Sequence, residues 1–173
     1  YSDRTEEGQV QARLARKQLE KYTKDFPLYF VSDTTMGVDA FASELQNIFP
    51  LSFVILTTWQ QGENGDYLNP DIYYATYANE SAVPVFTAFD RGLGKGVFGG
   101  YVTTLGQQGT RLGEMAVDVL KGKSVRSIPV DTLKPVHVFD DNLLRMWRLK
   151  HSELPSDKVI LNNRGTFWIT YKT

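Results

Sequence analysis

The chain has 173 residues, 42% hydrophobic and 23% charged, with 19 basic against 20 acidic side chains and a net charge of -1. That composition supports one well-cored domain or one lobe of a two-lobed domain, and it holds no basic run to follow a nucleic-acid backbone. Cysteine is absent, which removes disulfides, thiolate zinc sites and Cys nucleophiles together.

Asp3, Arg4, Thr5 and Glu6 form a helix-start pattern, with Asp3 as the cap and a Glu three residues on. Behind them Val10, Leu14, Leu19 and Tyr22 predict a helix over about 5–24. Pro27 to Val31 is a short β-rich run. Val38, Phe41, Ala42, Leu45, Ile48 and Phe49 then recur at three and four, the clearest amphipathic helix in the sequence, ended by Pro50. Leu51 to Thr58 reads as a strand apolar on both faces, as in a central parallel strand. Asn69 before Pro70 is a cap with proline at the first helical position, so a helix runs to about Asn79. Val83 to Thr87 is a third strand, and Pro84 predicts that it lies at an edge or pairs briefly.

This alternation calls for a parallel sheet with helices on both faces, and the expectation is a further strand ahead of Asp3 that this sequence does not contain. The glycine-dense loop from Asp90 to Gly100 leads into an extended stretch, Tyr101 to Thr104. Leu112, Met115, Ala116, Val119 and Leu120 mark a helix that Gly122 terminates. Ile128 to Val130 and Val136 to Phe139 are short extended pieces, and Asp140 caps a short helix carrying Leu143, Leu144 and Trp147. Val159 to Leu161 is the last β-like run. The expected organisation is an α/β lobe over 1–100, then a crossover helix and C-terminal segment over 101–173. No apolar stretch approaches the roughly 20 residues that span a bilayer, and no signal peptide opens the chain.

Gly94 to Gly99 spells G-x-G-x-x-G, but a dinucleotide site needs a helix opening at the last glycine. Phe98 to Thr104 is extended in character, so the glycines read as a turn cluster or hinge: Gly92, Gly94, Gly96, Gly99 and Gly100. His137 and His151 lack metal-ligand spacing, which predicts no metal. The acidic loop Gln61 to Asp66 lacks the EF-hand spacing. No nucleophile elbow occurs, and no Ser or Thr has an evident base. The expectation is a non-enzymatic domain without a cofactor.

In an open α/β sheet, ligands bind beyond the carboxyl ends of the strands. Those ends here are Ser32, Asp33 and Thr34; Thr57, Thr58 and Trp59; and Phe89, Asp90 and Arg91. Each brings short hydrogen-bonding groups, two bring an aromatic ring, and Arg91 can clamp a carboxylate bidentately. These nine residues are the candidate ligand site, and they lean toward a small organic anion or an aromatic compound.

Several segments together resemble the substrate-binding proteins of ABC transporters, of the type I periplasmic-binding-protein kind. They are Val83 to Phe86, Phe89-Asp90, Gly92 to Gly100, Gln108-Gly109, Gly113 to Ala116, Leu120 to Gly122, Ile128 to Val130, Phe139-Asp140 and Leu154-Pro155. The ending, Val159 to Asn163 with Phe167, Trp168 and Tyr171, is similar to the end of periplasmic sensor domains in bacterial sensor histidine kinases and diguanylate cyclases. The resemblance implies a flavodoxin-like lobe that senses an unidentified small molecule outside the cytoplasm. It also implies a membrane-bound two-component sensor (hybrid forms included) of the inner membrane, attached through segments beyond this chain. The alternative it implies is the binding protein of an ABC importer. In the family, the helix matching Gly106 to Lys121 packs on a first lobe whose strands this sequence lacks. The face of Leu112, Met115 and Val119 then needs another cover, for which a second copy of the chain, as a homodimer, is the candidate.

Overall fold

Cap chemistry starts the helices where the sequence asks for it. The computed structural model describes residues 1–32, 38–62 and 64–163. Its helices are α1 (Glu6–Leu19), α2 (Val38–Gln46), α3 (Pro70–Glu80), α4 (Leu105–Leu120) and α5 (Asp141–Met146). Its strands are β1 (Val54–Leu56), β2 (Val85–Thr87), β3 (Gly99–Val102), β4 (Val136–Asp140) and β5 (Lys158–Leu161). Asn69 accepts from the Asp71 amide to open α3, with Pro70 in the first turn. Asp140 does the same for α5 through the amides of Asn142 and Leu143. In α1 the cap is Thr5, which accepts from Gly8, and not Asp3. The Asp3 carboxylate is fully buried and accepts instead from Thr5, Gln60 and Gln61. It therefore fastens the start of α1 to the chain beyond β1.

The strands lie in the order β1-β2-β3-β4-β5. β1, β2 and β3 are parallel, and β5 is parallel to β4. β4 is antiparallel to β3, with Val102 opposite Val136, where an all-parallel sheet was expected. After α4 the chain returns to the end of the sheet it left, so β4 must run back along β3. β2 lies between β1 and β3 and is no edge strand. Pro84 is tolerated because β3 pairs only from Phe86 onward, and the Pro84 carbonyl still accepts from Val54. Ile128 to Val130 does not join the sheet. The residue numbered 100 lies inside β3, and the same sheet continues through β4 and β5.

The sequence predicts a strand lying ahead of Asp3 and missing from the chain; instead Tyr1 to Asp3 itself runs beside the end of β1. The Thr57 amide donates to Tyr1 at 3.0 Å and the Asp3 amide to Thr58 at 2.7 Å. On its other side Ser2 forms a parallel bridge with Ser32. In chain order, the spatial sequence Val31–Ser32, Tyr1–Asp3, β1, β2 is that of flavodoxin-like sheets, which places a topological switch between Asp3 and Thr58.

Helices cover both faces. α2 and α3 bury Phe41, Leu45, Tyr74 and Tyr77 against Val54, Leu56 and Val85. On the other face α5 buries Leu144 against Phe98 and Phe139, with Phe86 beside them. Edge-to-face and tilted rings link Phe53, Phe86, Phe98 and Phe139 across that face. Rings in such geometry add about 0.5–1.5 kcal/mol per pair beyond their area burial. α4 stands apart, with no buried residue. Leu112 is 65% and Leu120 87% exposed. The helix is tied back by Arg111 to Asp131 at 2.5 Å and by Gln107 to the Lys134 carbonyl at 3.4 Å.

Candidate functional site

Thr57 and Thr58 follow β1, beside the switch between Tyr1–Asp3 and β1. Thr57, Thr58, Phe89 and Arg91 come together there around a cleft of ≈ 130 Å³, joined by Glu7, Gln60, Pro70 and Tyr74. The walls have distinct origins. Glu7 sits in the first turn of α1 and Pro70 in the first turn of α3. The Thr87 hydroxyl accepts from the Phe89 amide and donates to the Phe89 carbonyl, which fixes the turn that presents Phe89.

Hydrogen bonds hold most of the cleft in place. The Thr57 hydroxyl donates to the Tyr1 carbonyl at 2.9 Å. The Tyr74 hydroxyl donates to the Thr57 carbonyl in a short bond. Burial pushes the Tyr74 phenol well above its ordinary value, so it stays a protonated donor. Gln60 donates to Glu7 at 3.3 Å. Arg91 faces Asp71 at 3.7 Å with both side chains partly in solvent, a pair worth little on its own. Thr58 differs from these. It is 3% exposed, and its Oγ1 is buried with no hydrogen-bond partner among the described residues.

The other expected site residues lie elsewhere. Trp59 is 1% exposed and stacks on Phe41 at 4.6 Å with an interplanar angle of 12°, so it fills the core under α2 and α3 rather than a ligand wall. Asp90 accepts from the Leu105 amide at 2.6 Å and thereby anchors the start of α4. Ser32 is half-buried in its bridge with Ser2. Asp33 and Thr34 lie outside the described residues, as do Phe167, Trp168 and Tyr171.

The five glycines differ among themselves. Gly92, Gly94 and Gly96 have positive φ. At Gly92 (φ +66) a Cβ would also fall 2.6 Å from Val97 and 2.9 Å from Tyr74. This turn is thus packed against α3 at Tyr74, which also lines the cleft. Gly99 and Gly100 belong to β3, where carbonyls of Val138 and Thr87 approach within 2.4 and 2.3 Å of where a Cβ would stand. That approach ties them to their neighbouring strands.

Sequence reasoning missed Glu7, Gln60, Pro70 and Tyr74. The usable signal is that helices returning along a parallel sheet start near the strand ends, so their first turns face the same crevice. Among the described residues, no group of three His, Cys, Asp or Glu side chains is placed to hold a metal. No helix among them is long and apolar enough to cross a membrane.

No family model matches the chain, and no curated protein matches it. Among solved structures the chain is similar to the ligand-free, open structure of CD0873, a substrate-binding protein with adhesive properties from Clostridium difficile. The two share 19% identity at a TM-score of 0.48 over 92% of this chain and 52% of the other. The chain thus spans about half the length of that protein.

Proposed function

We propose that this chain is a small-molecule-binding lobe whose ligand sits in the cleft between Thr58, Tyr74, Phe89 and Arg91. One observation carries the reading: Thr58 lines the cleft while its buried hydroxyl lacks a partner among the described residues. An unsatisfied buried hydroxyl costs about 1–3 kcal/mol, and a ligand group bonded to it removes that cost. The cleft's position at the topological switch, with one apolar ring and a few aimed polar groups, is what a small-molecule site requires.

The proposed setting is the extracytoplasmic input region of a membrane-bound two-component sensor, a histidine kinase or a diguanylate cyclase, with the output chemistry in other domains. The support is the ordered resemblance of Val83 to Pro155 to transporter-type binding proteins, and of Val159 to Tyr171 to the end of sensor domains. Signalling then requires that the ligand bind one conformation better than another. The gene beyond Thr173 tests the setting. An apolar run of about 20 residues there is expected, whereas a stop codon points to an importer's binding protein. Isotope-edited NMR tests the binding: ligands should shift the amides of Thr58, Gln60 and Phe89, and a set of binders that leaves these three unmoved overturns the site.

A further inference from the structure

A second concavity lies away from the cleft and shares no residue with it. It is an open groove of ≈ 540 Å³ lined by Arg13, Arg16, Lys17, Glu20, Thr23, Leu28 and Phe30. Arg13, Arg16 and Lys17 occupy positions i, i+3 and i+4 of α1, so their cations share one helix face. Like charges at that spacing repel and destabilise a helix. Among the described residues, none of the three forms an ion pair, and Glu20 is the single acid lining the groove. Arg16 and Lys17 lie in the last turn, where the helix dipole favours cations. Arg13 lies a turn earlier, beyond most of that effect.

The opposite wall is apolar. The Arg16 guanidinium lies over the Phe30 ring, 4.1 Å from its centroid. A guanidinium held over a ring still has five N–H donors, some of which can reach an oxyanion. Two guanidinium forks and an ammonium beside a leucine and an aromatic ring match a molecule that is anionic at one end and apolar at the other.

We propose that this groove is a second ligand site, for a small organic phosphate in which the phosphate meets Arg13, Arg16 and Lys17 and the organic part lies on Leu28 and Phe30. The site is independent of the cleft and stands or falls without it. The probe is phenyl phosphate, titrated by calorimetry at low and high salt, with phenol as the uncharged control. Phenyl phosphate should bind and weaken as salt rises, and phenol should not bind detectably. Arg13→Gln and Arg16→Gln should each weaken binding about tenfold, the loss of one charge-assisted contact. Arg16→Lys should retain part of it, and Thr58→Val should leave it unchanged. These side chains are exposed, so circular dichroism should show the variants folded. Equal binding by the Arg→Gln variants, or none by the native chain, overturns the proposal. So does binding confined to vesicles of equal phosphatidylcholine and phosphatidylglycerol, since that would make the patch a lipid-surface contact.

Discussion

Replacing Thr58 by valine should stabilise the ligand-free protein and weaken its ligand binding at the same time. Valine keeps the branched shape of threonine and suits the end of a strand. It removes a hydroxyl that is buried without a partner among the described residues. Protein mutational data put the cost of such a group at about 1–3 kcal/mol, so relief of even the lower part of that range raises stability by about 1 kcal/mol. For a chain of this size, 1 kcal/mol moves the melting temperature by roughly 2–4 °C. Most single substitutions destabilise, so an increase is a discriminating result. The assay is thermal melting by circular dichroism, with calorimetric titration of any ligand found by screening. Ligand affinity should fall about tenfold, the value of one hydrogen bond made to the buried hydroxyl. A lowered melting temperature would show that Oγ1 is already satisfied in the free protein, and the argument for a ligand at Thr58 would fail.

Tyr74→Phe keeps the ring but leaves the Thr57 carbonyl without its donor; a loss of about 1–3 kcal/mol is expected in urea unfolding, and an unchanged midpoint would contradict the bond. Gly92→Ala places a Cβ at positive φ against Val97 and Tyr74, so a loss of at least about 2 kcal/mol is expected by the same measurement. Asp90→Ala should free the first turn of α4, since Asp90 holds the Leu105 amide; hydrogen exchange at that amide should quicken while global stability changes little, and unaltered exchange would exclude the anchoring role. Burial raises the Asp141 carboxyl, but His151 and Arg145 outweigh it and hold the group below its ordinary value. A depressed carboxyl adds stability above its unfolded value of about 4 and loses it as pH falls through the folded value. Asp141→Asn should therefore be less stable than the native chain near neutrality, and the gap should close below about pH 4; a gap independent of pH would refute the pairing.

What the sequence reveals is what local chemistry decides. Asn69-Pro70 and Asp140 open helices because their side chains and the amides they cap are two or three residues apart. Gly122, at φ 94, ends α4 because only the backbone at that position must turn left-handed. The direction of β4 was illegible because it depends on where the chain returns after α4, some thirty residues after β3. Trp59 was ambiguous for a related reason. An aromatic ring at a strand end looks the same in sequence whether it faces a crevice or a helix pair, and Phe41 decides it. Thr57, Thr58, Phe89 and Arg91 were visible because strand ends gather at one rim of a parallel sheet. Glu7 and Tyr74 were not, since placing them requires knowing that Tyr1 to Asp3 lies beside β1. The exposure of Leu112 and Val119 on α4 agrees with the resemblance, which implied a face in need of another cover.

The most direct test of the cleft is a thermal-shift screen of small metabolites against the native chain and Thr58→Val side by side. A ligand present at 100 times its dissociation constant adds about 2.7 kcal/mol to the folded state, a clear upward shift. The cleft reading predicts compounds that raise the melting temperature of the native chain and do so markedly less for the variant. Compounds that shift both proteins equally would place the ligand elsewhere and contradict the assignment of Thr58 to the site.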